Sequence, residues 1–288
     1  MEFSAPTTLN AAIKLYSANG GGAGLMAGGT DLLVQMRSGR AEIGHVIDLK
    51  RIPELNVLSY DKKRGLRLGA AVACDVLGAF KPAKAAYAAL IEGAELIGST
   101  QIQSRASVGG NVCNGSPAAD TICSLIVLGA QCVVKGPQGK REIPARDFMV
   151  GPGKTALRKG ELLVEFRIPP PPAHSASGYL RFIPRNEMDI AVVSAAANIT
   201  LSANGKTCTA ASVAIGAVAP TPLLVEAAGK ALVGSTLDEA ALEAAAAASR
   251  KAARPISDMR GTKEYRTHMA GVLTKRAIAM ALQRARGA

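Results

Sequence analysis

The sequence predicts an α+β chain of two domains, on three observations. Its 288 residues suit about two domains of ordinary size. Up to Ile168, apolar runs of strand length alternate with segments of helical spacing. At Pro169-Pro170-Pro171-Pro172 the chain meets a stiff, extended segment that continues neither a sheet nor a helix. The expected boundary lies there, with residues 1–170 forming one α/β domain and residues 176–288 a smaller α+β domain.

The elements follow in order. Leu9, Ala12, Ile13 and Tyr16 recur at helical spacing in Thr8–Ala18, and Gly20-Gly21-Gly22-Ala23-Gly24 ends that helix. Leu25-Met26-Ala27 reads as a short strand, Asp31–Ser38 as a helix and His45–Leu49 as a buried strand. Leu55–Tyr60 and Gly65–Leu68 flank the charged turn Asp61-Lys62-Lys63-Arg64, which predicts a hairpin. Ala83–Ile97 has helical spacing and Gly98 at its end. Ser99–Gly115 is polar, glycine-bearing and too long for an ordinary connection; such loops are usually functional. Asp120–Leu128 reads as helix, Cys132–Lys135 and Leu162–Ile168 as strands. In the second domain, Ile190–Leu201 and Ser212–Val218 are expected strands of a small antiparallel sheet. Leu237–Lys251 and Thr267–Gln283 are expected helices.

Composition bounds the function. An apolar fraction of 48% with 19% charged residues is that of a globular protein with a sizeable core. The 34 basic and 22 acidic residues leave +12, which invites a nucleic-acid reading. Aromatics at 3% and the absence of Trp oppose it, because single-strand binders stack bases on aromatic platforms. Ten basic residues fall between Arg250 and Arg286, against Asp258 and Glu264 alone. That surplus reads either as a solvated helical face or as a docking surface for acidic partner subunits, through Lys275, Arg276, Arg284 and Arg286. The N-terminus shows no basic-then-apolar leader, and no stretch is a candidate membrane span, so a cytoplasmic protein is expected. Cys74, Cys113, Cys123, Cys132 and Cys208 form no C-x-x-C pair, and His45, His174 and His268 share no triad or metal spacing. No catalytic and no metal-binding residue is therefore expected.

Two glycine segments carry most of the chemical information. Ala27-Gly28-Gly29-Thr30-Asp31-Leu32 links a strand-like run to a helix-like one. Ser107-Val108-Gly109-Gly110-Asn111 is followed by Ser116-Pro117-Ala118-Ala119-Asp120. Glycine lets backbone N–H groups approach an anion, and a following helix start adds partial positive charge. Each pair alone also reads as a tight turn. Together, with Thr30 and Ser107 beside them, they suit the two phosphates of a pyrophosphate, and Asp120 suits a ribose hydroxyl. Neither matches G-x-G-x-x-G or the P-loop pattern, so a nicotinamide-type fingerprint is lacking.

With Ile97–Asn111, Pro117–Asp120, Glu161–Pro169, Asp189-Ile190-Ala191-Val192-Val193, Gly216–Pro222 and Tyr265-Arg266, these segments resemble the FAD-binding subunit of molybdenum hydroxylases. That family includes carbon monoxide dehydrogenase medium subunits and xanthine dehydrogenase flavin domains. The resemblance implies an FAD-binding α/β unit of two subdomains (about 1–55 and 56–170), then a C-terminal flavoprotein domain. It implies non-covalent FAD held by Gly24, Leu25, Met26, Ala27, Gly28, Gly29, Thr30 and Asp31, and by Ser107, Val108, Gly109, Gly110 and Asn111, around the pyrophosphate. Asp120 falls on the ribose side, Ile97 and Leu163 near the adenine, and Arg181 at a further contact position where the family often has Lys. The implied partners are a small subunit with [2Fe–2S] clusters and a large subunit with the molybdenum cofactor, in a dimer of heterotrimers. Electrons would pass from the clusters through FAD to an external acceptor. A self-standing FAD oxidoreductase is the alternative, and a basic nucleic-acid-binding or scaffold protein a more distant one.

Overall fold

A computed structural model describes residues 1–19 and 22–287. The chain opens with β1 (Glu2–Ser4), α1 (Leu9–Ala18), β2 (Ala23–Met26), α2 (Leu32–Arg37) and β3 (His45–Asp48). These strands form a parallel sheet in the order β1-β3-β2, which requires the intervening helices as crossovers. Thr8 starts α1 by accepting from the Ala11 N–H (3.2 Å), and Leu9, Ala12 and Ile13 are its buried face. The helix stops at Ala18. Of the glycine run expected to end it, Gly20 and Gly21 lie outside the described residues.

The next unit is a five-stranded antiparallel sheet, β4 (Leu58–Asp61), β5 (Gly65–Gly69), β10 (Leu162–Ile168), β6 (Gln131–Gly136) and β7 (Gly139–Pro144), in that spatial order. The hairpin β4–β5 forms as expected around Asp61, whose Oδ1 accepts from the N–H groups of Lys63 (2.9 Å) and Arg64 (2.8 Å). Its first strand starts only at Leu58, because Pro53–Asn56 is a 3₁₀ turn. Between the strands lie α3 (Cys74–Ala79), α4 (Lys81–Ala86), α5 (Ala88–Glu95), α6 (Thr100–Gln103), α7 (Val108–Cys113), α8 (Ile122–Val127), α9 (Ala145–Phe148) and the small hairpin β8 (Met149–Gly151)–β9 (Lys154–Thr155). Two expectations are corrected here. Ala83–Ile97 is not one helix: Tyr87 leaves the helical region (φ −134°, ψ 53°), and its buried hydroxyl donates to the Pro169 carbonyl at 2.9 Å. Ser99–Gly115 is not an irregular loop, since it contains α6 and α7.

Beyond the prolines, β11 (Ser175–Phe182), β12 (Val193–Leu201), β13 (Cys208–Gly216) and β14 (Leu223–Leu224) form an antiparallel sheet in that order, with α10 (Glu226–Leu232), α11 (Glu239–Ala252) and α12 (Lys263–Gly287). Residues along β12 alternate between two cores. Ala195, Ala197 and Ile199 pack with the helices of this domain, and Ala196 packs into the core of the preceding one. A sheet buried on both faces reads as an unbroken apolar run. Small residues let helices close in: a Cβ on Gly178 would stand 3.1 Å from the Ala277 carbonyl oxygen of α12. Arg284 ties the domains together, donating to the Ser177 carbonyl (2.8 Å) and to Glu92.

Candidate functional site

A cleft of about 620 Å³ opens between the parallel sheet and the antiparallel sheet of the first domain. Leu25, Ala27, Gly28, Gly29, Thr30 and Asp31 line it from one side. Ser107, Gly109, Gly110, Asn111, Ile97 and Leu163 line it from the others. Two segments nearly eighty residues apart in sequence thus meet at one site. Among the described residues, no acceptor pairs with the backbone N–H of Gly28, Gly29, Thr30 or Asp31. Val108 and Gly109 supply the first-turn N–H groups of α7, which a helix leaves unpaired. Ser107 caps that turn by accepting from the Gly110 N–H at 3.0 Å. Free donors from two loops facing one cavity fit the charge of a pyrophosphate.

The four loop glycines do different work. A Cβ on Gly28 would lie 2.2 Å from the Arg105 carbonyl oxygen, and one on Gly109 would lie 2.3 Å from that of Ala70. These two let backbone pack on backbone. Gly29 sits at φ +78°, the left-handed region that favours glycine. Gly110 alone is open enough for a Cβ, which would meet only the Ser107 Oγ at 3.2 Å.

Five residues expected at the cofactor do not line the cleft. Gly24 faces the Ile43 side chain, Met26 packs beside Gly29, and Val108 is core. Asp120 and Arg181 turn toward each other, 2.9 Å apart and both buried. The Tyr179 hydroxyl stands 3.4 Å from the same Asp120 oxygen, and among the described residues the Arg181 Nε has no partner. The pair joins the two domains. Asn111 bridges it to the cleft, because its Oδ1 accepts from both the N–H (3.2 Å) and the hydroxyl (2.8 Å) of Thr121.

Burial pushes the Asp120 carboxyl up to about 6, against the guanidinium of Arg181 and the hydroxyl of Tyr179. A folded value above the unfolded one means the stability this group contributes is complete below about pH 4 and lost as pH rises through 6. Compared with Asp120→Asn, the wild-type chain should lose on the order of 2–3 kcal/mol between pH 4 and pH 7, read from urea midpoints. A difference between the two proteins that does not vary with pH would refute this. Burial also raises the Asp31 carboxyl, which lines the cleft and makes no cap bond to α2.

The cleft contains residues that sequence reasoning missed: Tyr16, Gln35, Leu49, Leu55, Ala70, Ala71, Cys113, Asn114, Gly153, Thr155, Leu157, Arg158, Lys159 and Leu162. Cys113 and Asn114 merely continue the second glycine segment along α7. Residues 153–159 carried no local signal; their position follows from the pairing of β10 with β5 and β6.

Fold and cleft together define a two-domain protein with a dinucleotide-type cofactor site built on paired glycine loops. Residues 1–171 match the FAD binding domain in molybdopterin dehydrogenase, and residues 178–281 match the CO dehydrogenase flavoprotein C-terminal domain. The carbon monoxide dehydrogenase medium chain of Afipia carboxidovorans is 36% identical over 285 residues, covering 99% of this chain and 98% of its own. The xanthine dehydrogenase FAD-binding subunit of Escherichia coli O157:H7 is 33% identical over 281 residues, 97% of this chain and 95% of its own. Reconstituted CO dehydrogenase from Oligotropha carboxidovorans contains a chain that superposes with a TM-score of 0.94 at 35% identity, covering 99% of this chain and 98% of that one. Quinoline 2-oxidoreductase from Pseudomonas putida 86 gives 0.91 at 28% identity over 99% and 98%. The chain belongs to the FAD-binding medium subunits of the molybdenum hydroxylases: it is an FAD-carrying electron-transfer subunit of an oxidoreductase. The self-standing and nucleic-acid readings give way to this membership. No helix among the described residues is long and apolar enough to cross a membrane.

Proposed function

We propose that FAD is held non-covalently in the cleft, with its pyrophosphate on the N–H groups of Gly28–Asp31 and of the first turn of α7. The observation that carries this is the set of unpaired donors from two loops around one cavity. Leu25, Ala27, Ile97 and Leu163 supply apolar wall, and Thr30 and Ser107 supply hydroxyls. Gly24, Met26, Val108, Asp120 and Arg181 shape these loops from behind. When bound, FAD supplies the redox chemistry, and the chain supplies position and electrostatics. We assign the cofactor domain to 1–170, with subdomains about 1–55 and 56–170, and the flavoprotein domain to 176–288. The three sheets, β1–β3, β4–β7 with β10, and β11–β14, support that division. The partners are a small [2Fe–2S] subunit and a large molybdenum-cofactor subunit in a cytoplasmic dimer of heterotrimers, delivering electrons to an external acceptor. That relatives are named as medium chains and subunits supports a multi-subunit enzyme.

Cys113 offers the test. It is exposed in the cleft, whereas the other four cysteines are buried. The cofactor-free chain should carry one alkylatable thiol, lost in Cys113→Ser and protected by added FAD; because burial of its sulfur pushes the Cys113 thiol up to about 12, its modification should be slow at pH 7 and quicken as pH rises. Binding is followed by the flavin band near about 450 nm, which belongs to the cofactor. Bound FAD with an unprotected Cys113 would place the cofactor elsewhere. A chain that takes up no FAD would overturn the reading altogether.

A further inference from the structure

The two lips of the cleft are held in unlike ways. The end of α7 is braced by the β8–β9 hairpin: the Gly153 N–H donates to the Gly115 carbonyl at 2.9 Å, and a Cβ on Gly115 would stand 2.9 Å from the Gly153 carbonyl carbon. On the opposite lip, α2 follows directly on the loop Gly28–Asp31, and none of its six residues is buried. Leu33 and Val34 are more than half exposed, and Asp31 gives the helix no side-chain cap.

A single hydrogen bond joins these lips. The Gln35 side-chain amide, on α2, donates to Asn114 Oδ1, at the end of α7, at 2.9 Å. Both residues line the cleft, and 79 positions separate them in sequence. Among the described residues, every other hydrogen bond of α2 stays within residues 29–41. Its apolar hold is Leu32 on β2, where a Cβ on Gly24 would meet the Leu32 side chain at 3.3 Å. The segment is bounded by two glycines in the left-handed region, Gly29 (φ +78°) and Gly39 (φ +69°), and the space around Gly39 is open. A segment with few buried groups between permissive joints opens locally at low cost.

We propose that residues 29–39 form a hinged lip of the cleft and that the Gln35–Asn114 hydrogen bond is its latch, setting how fast the cofactor enters and leaves. This rests on the placement of FAD in the cleft. Closing the lip brings Thr30 and Asp31 to the cofactor; opening it gives passage. The latch joins two protein groups, so the closed lip carries it with and without FAD. Breaking it raises the open population in both states, which speeds uptake and release alike and leaves affinity nearly unchanged. An amide–amide hydrogen bond is worth about fivefold in such an equilibrium.

The test uses the full chain carrying radiolabelled FAD, chased with excess unlabelled FAD, beside uptake of the label by cofactor-free protein. Gln35→Leu keeps the side-chain bulk and removes the donor; Asn114→Ala removes the acceptor. Each should speed release and uptake about fivefold with Kd within about twofold of wild type, and the double variant should be no faster than either single one. In cofactor-free protein, both variants should also speed amide hydrogen exchange in α2 about fivefold, with α7 unchanged. Faster release with unchanged uptake would make Gln35 a contact of the cofactor rather than a latch, and would overturn the proposal. So would rates equal to wild type, effects that multiply in the double variant, or unaltered exchange in α2. The exchange measurement needs no cofactor, so wild-type protein that binds no FAD would sink the parent reading while exchange still judged the latch.

Discussion

Gly28→Ala is expected to destabilise the first domain by about 3 kcal/mol or more, whether or not FAD is present. The added Cβ would stand 2.2 Å from the Arg105 carbonyl oxygen, 2.7 Å from its carbon and 3.0 Å from the Ala106 Cα. All three are backbone atoms, so no flexible side chain can yield. The two glycine loops would have to separate, and each is held elsewhere: Cys74 N–H bonds to the Ala106 carbonyl at 2.8 Å, and Ser107 anchors α7. A loss of this size lowers Tm by about 6 °C or more in a chain of this length. Gly110→Ala should behave in the opposite way. Its Cβ meets only the Ser107 Oγ at 3.2 Å, and alanine favours the helix it joins by up to about 1 kcal/mol. The fold should persist while FAD affinity falls at least tenfold, because the methyl group enters the cleft where the donors converge. Thermal melts with and without FAD, beside flavin titrations, measure both. A Gly28→Ala protein that melts as wild type would refute the loop-packing account, and a Gly110→Ala protein with full affinity would move the pyrophosphate off the second loop.

The contrast explains what was legible in the sequence. The glycine pairs stood out because each interrupts a strand-to-helix or loop-to-helix passage, and their coming together fitted a shared anion. Their division of labour could not be read, because it depends on Arg105 and Ala70, residues brought to them by the tertiary fold. Local pattern likewise revealed α1, the hairpin β4–β5, β10 and the long helices. It missed β7 (Gly-Lys-Arg-Glu-Ile-Pro), an edge strand whose charged side chains hide the alternation, and it merged α4 with α5 because Tyr87 is anchored by a carbonyl eighty-two residues away. Asp120 drew notice by its place after the second glycine segment and Arg181 only through the family resemblance, and neither could be read as the other's partner across a domain boundary.

Charge is where tertiary structure most changes the reading, and Arg266 should show it. In sequence this residue belongs to a basic surplus suited to docking. In the fold it is 4% exposed at the start of α12 and donates to the carbonyls of Val192 (2.8 Å) and Ala217 (3.2 Å) and to Asp258 Oδ1 (2.6 Å). Lys275 is likewise held by Glu239 and Glu243, Arg250 by Glu243, and Arg284 by Glu92. Arg266→Met should cost about 3–5 kcal/mol, since it strands a carboxylate and two carbonyl oxygens on the joint between β12, β13 and α12. Arg266→Lys should recover less than half of that loss, because one ammonium cannot reproduce a planar fork with acceptors on several sides. Arg276 and Arg286 make no carboxylate pair among the described residues, and replacing both with Gln should shift stability by no more than about 0.5 kcal/mol each. Denaturant midpoints of the four proteins decide the matter. A stable Arg266→Met chain would return Arg266 to the surface surplus, whereas a stable Arg276→Gln, Arg286→Gln chain that assembles poorly would show that docking rests on the few cations the fold leaves free.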